Sequence, residues 1–390
     1  MKKYITLLVA GLLVGITTNI GHPVTPYYIN QLNFDKIVFG YFYALMSFGM
    51  LISAPIWGSL GDAKGRKWII IICLIFYGVG QVMFATFDNL YLIFFARLFS
   101  GIFSGGILVS FLSYMTRSKE LAKYNQSRLY ATFISLQLVG TSLGSFIGGA
   151  LGEVFAPNYN IVLYIQGLLM VVFAVYVLTL MKFDNEEKKE IRSINPLASL
   201  NDIKLLPFIL IVFLFIVAVI NISFTDVSKY LDVYFADCGY GSLKLGTVNL
   251  IVGLLTLVIN LVITPLIIKR FKPLLILSIF TLLGSIMLVL TFSLPNLILN
   301  IYTFYMIFIA AKAIIEPIIV EYLNGHKNIQ PGILMGLRQS FISLGGIVGV
   351  LIGGIIYAAN NVLLFYLCAI MLFVSAVIFI ILHLISKKRI

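Results

Sequence analysis

The chain has 390 residues, of which 61% are hydrophobic and 11% are charged, and its mean hydropathy is +1.05. A soluble domain carries roughly a quarter of charged residues, so this composition excludes a water-facing surface and requires lipid as the solvent. The net charge of +12 does not indicate nucleic-acid binding, because the bases lie in short segments beside apolar runs, where membrane topology places them.

Twelve apolar runs follow one another along the chain. Most are about 20 residues long, the length that crosses a bilayer as a helix. They lie near residues 4–28, 37–60, 68–87, 90–114, 129–152, 161–181, 205–231, 245–268, 274–293, 298–322, 333–358 and 362–385. Lys2 and Lys3 before the first run are typical of a signal peptide, but no small-x-small cleavage site follows. We therefore predict an all-α membrane protein with twelve transmembrane helices and an uncleaved first helix.

The bases between the runs predict the topology. When the runs cross the bilayer alternately, 21 of the 27 Lys and Arg residues fall on one side, and Lys36 and Lys244 fall on the other. Cytoplasmic loops carry the excess of bases. Both termini are therefore predicted to be cytoplasmic, in a multi-pass protein of the bacterial cytoplasmic membrane.

The chain is predicted to consist of two six-helix bundles. Residues 182–204 form the longest polar stretch and are interpreted as a cytoplasmic linker between residues 1–181 and residues 205–390. The fifth and eleventh runs share the spacing GxxxGxxxGG, which indicates that the two halves are repeats of one another. The glycines are Gly140, Gly144, Gly148 and Gly149 in the fifth run and Gly345, Gly349, Gly353 and Gly354 in the eleventh. Glycines at this spacing let a neighbouring backbone approach closely. Paired repeats of this kind are typical of secondary transporters.

A polar segment between the second and third runs carries a second motif. Gly58 and Gly65 permit close backbone approach or a positive φ. Asp62 can pair with a base or cap a helix N-terminus, and Arg66 and Lys67 are expected to contact anionic headgroups. Fixing the topology would by itself be a sufficient role for these bases.

The motifs together resemble those of the major facilitator superfamily, and within it the twelve-span drug–proton antiporters of bacteria. The segment Gly58-x-Leu60-x-Asp62-x-x-Gly65-Arg66-Lys67 resembles the first cytoplasmic loop of that family, and the resemblance implies that contacts of Asp62 gate the cytoplasmic side. Arg97 followed by Gly101 resembles the proton-coupling motif of span four. These similarities cover essentially the whole chain and imply the major facilitator fold.

Two further similarities concern the direction of transport. The segment from Pro23 to Tyr28 resembles the Pro-x-x-Pro end of span one in quinolone and tetracycline exporters. Gly140 to Gly149 resembles the antiporter motif of span five, but Ser145 replaces its proline. The segment Lys269-Arg270-Phe271-Lys272 keeps only the charge of a second signature loop.

Ionisable residues within the runs are candidates for proton coupling, because charge inside a bilayer is costly. The candidates are Asp226, Glu316, Arg97, Lys312 and His22. Lys312 and Glu316 are four residues apart, so they share a helix face and are expected to neutralise each other, beside a kink at Pro317. The alternative roles are structural ion pairs, snorkelling lysines and, for His22, a packing role.

The candidate substrate-binding residues are Asn19, Tyr27, Tyr230, Tyr305 and Lys229. Each tyrosine could equally belong to an interfacial belt. The runs contain four buried bases (Arg97, Lys229, Lys312, Arg338) against two acids (Asp226, Glu316), which favours neutral, zwitterionic or anionic amphiphiles as substrates.

The function predicted from these features is proton-coupled export of small amphipathic compounds by alternating access. The alternative is a proton symporter that imports a small anionic or zwitterionic nutrient, which Ser145 and the buried bases favour. An enzyme is not expected, since HExxH and phosphate-loop motifs are missing from the sequence. The three cysteines lie far apart, and neither metal nor cofactor is expected. The expected partners are a small-molecule substrate, protons and the lipid bilayer, with the protein acting as a monomer.

Overall fold

The computed structural model describes residues 2–117, 121, 125–181, 203–204, 206–268, 270–326, 329 and 331–388. The α-helices of these residues are, in chain order, α1 Lys2–Asn19, α2 Thr25–Gln31, α3 Val38–Lys64, α4 Arg66–Thr86, α5 Leu90–Arg117, α6 Gln126–Phe155, α7 Asn160–Leu180, α8 Phe208–Asp237, α9 Ser242–Val258, α10 Thr264–Ile268, α11 Pro273–Ser293, α12 Leu297–Asn300, α13 Met306–Asn324, α14 Pro331–Ala359 and α15 Asn361–Lys388. Two π-helical turns, Ile259–Ile263 and Ile301–Tyr305, join α9 to α10 and α12 to α13.

The helices have the length and composition of membrane spans. Within the described residues, eleven helical segments are long and apolar enough to cross a membrane, with mean hydropathies from 1.4 to 2.9, and the shorter apolar helix Tyr4–Asn19 precedes them. Helices suit a bilayer because they satisfy every backbone polar group internally. The prediction of an all-α membrane protein with twelve transmembrane helices is therefore confirmed.

The first predicted run is not one continuous helix. Residues 20–24 form a turn between α1 and α2. Pro23 lies in this turn, where its missing amide hydrogen cannot break a helical hydrogen bond, and Pro26 lies in the first turn of α2, where proline is tolerated. The Tyr27 hydroxyl donates to the Tyr240 carbonyl oxygen over 2.6 Å, which fixes α2 against the turn before α9.

The chain divides into two compact units. Unit 1 comprises Met1–Phe34, Tyr41–Pro196 and Phe235–Gly253, and unit 2 comprises Asp35–Gly40, Leu197–Tyr234 and Leu254–Ile390. The predicted linker, residues 182–204, lies outside the described residues except for residues 203–204. The predicted division into bundles 1–181 and 205–390 therefore stays a prediction.

Unit 1 contains a core of side chains from α1, α4, α5, α6 and α7. Phe111 lies parallel to Phe173, with ring centroids 6.1 Å apart. α6 also approaches the backbone of α1 closely, since a Cβ added to Gly144 would lie 2.5 Å from the Ile16 carbonyl oxygen. Close approach of this kind increases the dispersion contacts that hold helices together in lipid.

Small hydroxyl side chains join α11 to α15 in unit 2. Ser278 donates to the Ala376 carbonyl oxygen over 3.0 Å, and Ser285 donates to the Ala369 carbonyl oxygen over 2.7 Å. Such serines stabilise helix pairs in membranes because they allow close packing and supply interhelical hydrogen bonds.

Candidate functional site

The polar segment at residues 58–67 is mostly helical. α3 continues to Lys64, α4 begins at Arg66, and Gly65 is the single residue between them. Gly65 has a φ of +100°, a conformation that costs little for glycine and much for other residues. Gly58 lies inside α3, where a Cβ would lie 3.5 Å from Val109 Cγ1, an ordinary contact.

Both bases at the start of α4 are buried in protein. Arg66 is 5% exposed and its Nε donates to Ser113 Oγ over 2.6 Å. Lys67 is 4% exposed and its Nζ donates to the Leu178 carbonyl oxygen over 2.8 Å. The prediction that these bases contact lipid headgroups is therefore wrong. The backbone of Asp62 belongs to the last turns of α3, and its side chain lies outside the described part of the chain, so gating by Asp62 stays a prediction.

Arg97, on α5, is a buried cation surrounded by aromatic rings. It is 7% exposed, and its guanidinium carbon lies 3.9 Å from the ring centroid of Phe42 and 5.1 Å from that of Phe84. One of its terminal nitrogens lies 3.1 Å from Met46 Sδ. Contact with ring faces offsets part of the cost of burying the charge.

A polar cavity of about 220 Å³ lies in unit 2 between α8, α13 and α14. Four polar side chains line it, Asn221, Glu316, Arg338 and Gln339, and the apolar part of its wall is Val217, Ile220, Phe224, Ile319 and Ile342. The cavity therefore presents one acid, one base and two amides, a combination that can bind ligand groups of either charge or hydrogen-bond neutral polar groups.

Glu316 faces Arg338 in this cavity rather than Lys312. Glu316 is exposed and interacts electrostatically with Arg338. Lys312 points toward a ring of α8, with its Nζ 5.3 Å from the Phe224 ring centroid. The expected neutralisation of Glu316 by Lys312 is thus wrong, because a shared helix face does not determine which neighbouring helix a side chain contacts. α13 continues through Pro317.

Asp226 lies outside the cavity, between α8 and α14. It is 2% exposed, and within the described part of the chain its Oδ1 has no hydrogen-bond partner. A Cβ added to Gly353 would lie 3.0 Å from Asp226 Oδ2. An ionised carboxylate would be costly there, since buried charge needs a partner.

Asn19, Tyr230 and Tyr305, three of the predicted substrate-binding residues, have protein partners, as Tyr27 does. Asn19 donates to the Gly15 carbonyl oxygen over 3.2 Å. Tyr230 is fully buried and donates to the Val350 carbonyl oxygen over 2.7 Å, and Tyr305 is buried with its ring 5.6 Å from that of Phe308. A role of these three residues in substrate binding stays a prediction.

The other predicted residues lie apart from the cavity wall. Tyr27 contacts Tyr240, as described above. His22 lies in the turn between α1 and α2 and is half-buried, and Lys229 is half-buried on α8. The cavity therefore brings together Glu316 and Arg338 but none of the predicted substrate-binding residues.

Sequence reasoning missed Asn221, Gln339 and Asp232. Amides inside apolar runs are a usable signal for the first two, because they too are costly in lipid without a partner. Asp232 is 2% exposed on α8 and interacts electrostatically with Tyr305. It was missed because the seventh run was predicted to end at residue 231, whereas α8 continues to Asp237.

Comparison with known proteins identifies relatives over nearly the whole chain. The family model of the Major Facilitator Superfamily matches residues 7–327. "Multidrug resistance protein 2" of Bacillus subtilis is 20% identical over 349 residues, which cover 87% of this chain and 84% of that protein. "Quinolone resistance protein NorA" of Staphylococcus aureus is 22% identical over 339 residues, covering 86% of this chain and 84% of that protein.

A solved structure has the same fold. The crystal structure of the nucleoside transporter NupG superposes with a TM-score of 0.76 and 14% sequence identity, covering 98% of this chain and 99% of that one. At this identity the similarity concerns the fold and not the substrate.

Proposed function

Because the chain belongs to the major facilitator superfamily, we propose that it is a proton-coupled exporter of small amphipathic compounds that works by alternating access. The relatives named for multidrug and quinolone resistance support export. The positions of the bases support a bacterial cytoplasmic membrane with both termini in the cytoplasm.

The proposal is carried by two carboxylates in different surroundings. Asp226 is closely packed between two helices, where its Oδ1 lacks a hydrogen-bond partner among the described residues, and Glu316 lines a polar cavity. Proton binding removes the cost of a buried charge, so Asp226 suits the role of proton carrier. Glu316 is open to the cavity, so its proton and a substrate can compete for the same carboxylate.

Other side chains are assigned supporting roles. Arg97, held between aromatic rings, would modulate proton binding through its fixed positive charge. Lys312, beside Phe224, and His22, in the turn before α2, are further candidates for proton coupling. Asp62 and Arg66 would gate the cytoplasmic side, with Arg66 acting through Ser113 rather than through lipid.

A proton symporter that imports an anionic or zwitterionic nutrient is the second candidate. Arg338 in the cavity wall favours it, because a cavity with a base tolerates anionic groups. Ser145, in the place of a proline in the antiporter motif, also favours it.

The direction of proton movement tests the proposal. Purified protein is reconstituted into liposomes with an acidic lumen and a pH-sensitive dye, and a quinolone is added outside. Antiport predicts alkalinisation of the lumen that is lost in Asp226→Asn and Glu316→Gln. Glu321→Gln is the matched control, since Glu321 lies on the same helix as Glu316 and is also exposed. Acidification of the lumen would show symport and contradict export.

A further inference from the structure

The same glycine spacing has different contacts in α6 and in α14. In α6, Cβ atoms added to Gly140 and Gly144 would meet backbone carbonyl oxygens of α1, and one added to Gly148 would meet that of Ile20, the residue after α1. In α14, Gly349 and Gly353 face side chains of α8 instead. Gly345 packs on the backbone of α8 at the Ala218 carbonyl oxygen, as the α6 glycines pack on backbone, whereas Gly349 and Gly353 pack against side chains.

The side chains that face the α14 glycines include the Asp226 carboxyl. A Cβ added to Gly349 would lie 2.9 Å from Ile222 Cγ2 and 3.3 Å from Asp226 Oδ1. A Cβ added to Gly353 would lie 2.9 Å from Tyr230 Cε2, in addition to its 3.0 Å approach to Asp226 Oδ2. Any side chain at position 353 would therefore occupy the space of the carboxyl or of the tyrosine ring.

The tyrosine ring is itself held in place. Tyr230 donates to the Val350 carbonyl oxygen and stacks on Tyr357, with ring centroids 5.1 Å apart. Since the ring cannot yield without losing these contacts, an added methyl group at Gly353 would displace Asp226.

We propose that Gly349 and Gly353 are positioning residues that hold the Asp226 carboxyl in a water-poor space between α8 and α14, and so set its proton affinity. Proton loss there leaves a charge against Cα and ring atoms, which costs free energy. The ligand of this site is a proton. The inference rests on the proposed function only for the statement that this proton drives transport.

The titratable and charged groups around Asp226 come from several elements. The nearest are Cys368 on α15, which interacts electrostatically with Asp226, and Tyr230 on α8, whose ring lies with the carboxyl beside Gly353. Further out are Tyr357 on α14, which stacks on Tyr230, Lys36 before α3, whose Nζ lies 5.9 Å from the Tyr357 ring centroid, and Lys229, three residues after Asp226 on α8. The glycine substitutions leave all five groups chemically unchanged, so a change in proton affinity would report the position of the carboxyl.

Infrared difference titration of the purified protein in liposomes tests the inference without any substrate. The carbonyl band of protonated Asp226 is identified by its loss in Asp226→Asn. In Gly353→Ala the carboxyl is expected to move toward water. The proton concentration at which Asp226 is half-protonated should then be about tenfold higher, a shift of the midpoint by about one pH unit or about 1.4 kcal/mol. Gly349→Ala, whose approach to the carboxyl is looser, should shift the midpoint in the same direction but less.

Two controls separate positioning from folding. Gly346 lies on the same helix, and the nearest atom to a Cβ added there is Thr225 Oγ1 at 4.0 Å. Gly346→Ala should therefore keep the midpoint of the parent protein. Gly144→Ala should reduce the yield of folded protein without moving the midpoint. An unchanged midpoint in folded Gly353→Ala and Gly349→Ala, or a shift to lower proton concentration, overturns the inference. Proton-coupled transport that persists in Asp226→Asn would instead overturn the proposed function and leave this result standing.

Discussion

Lys67→Met is expected to destabilise the protein through the end of α7. Lys67 Nζ donates to the Leu178 carbonyl oxygen, which lies in the last turn of α7, where carbonyl groups lack helical partners. A hydrogen bond to a charged group contributes about 1.5–3 kcal/mol, and methionine regains part of this by avoiding the cost of burying the charge. A net loss of roughly 1–2 kcal/mol corresponds to a decrease in melting temperature of about 1–2.5 °C, because a chain of 390 residues has an entropy of unfolding of about 0.8 kcal/mol/K.

The assay compares thermal unfolding in nanodiscs of phosphatidylcholine with that in nanodiscs containing phosphatidylglycerol. A buried contact predicts the same decrease in both lipids. A headgroup contact, worth about 1 kcal/mol per base, would lower the melting temperature in anionic lipid alone. Lys64→Met is the matched control, because Lys64 is exposed at the end of α3. A lipid-dependent effect of Lys67→Met, or none in either lipid, would refute the buried-contact interpretation.

Two further predictions concern tyrosines. Burial, and to a smaller extent the Glu153 carboxylate, raises the pKa of Tyr159. The stability that the protonated form contributes is therefore present at neutral pH and lost as the pH rises through the range of tyrosine ionisation. Ultraviolet difference titration, with Tyr159→Phe as the reference, should show a lower ionisation midpoint for Tyr159 in Glu153→Gln, and an unchanged midpoint would contradict a role for that charge. Tyr230→Phe removes the hydrogen bond to the Val350 carbonyl oxygen and should lower the free energy of unfolding by about 0.6–1.5 kcal/mol, measured by thermal unfolding; a loss above the cost of one hydrogen bond would show that the ring itself had moved.

The membrane spans could be predicted from the sequence because lipid imposes one simple requirement on them. A helix of about 20 apolar residues crosses a bilayer, and this requirement does not depend on the neighbouring helices. The break after α1 was also accessible, since Pro23 removes a helical hydrogen bond, although α13 continues through Pro317. The C-terminal end of α8 was harder to predict from the sequence. The outer turns of a span can contain polar residues such as Asp232 without losing their helical hydrogen bonds.

The partners of charged residues could not be predicted in the same way. The distribution of bases placed Arg66 and Lys67 on one side of the membrane, but not against Ser113 and the end of α7. Spacing placed Lys312 and Glu316 on one face of α13, whereas the packing of α8 and α14 directs them to different partners. Periodicity specifies a face, and tertiary packing specifies the contact.

One face of α14 contacts both parts of the candidate site. Arg338, in the cavity wall, is separated from Gly349 and Gly353 by 11 and 15 residues, so these positions share a helix face about 17 and 23 Å further along the axis. Rotation or translation of α14 as a rigid helix would change the cavity and the space around Asp226 together. Substrate binding and proton binding would then be coupled through the position of one helix, which both ligands bias. Gly353→Ala should therefore alter the proton dependence of transport without removing any group from the cavity.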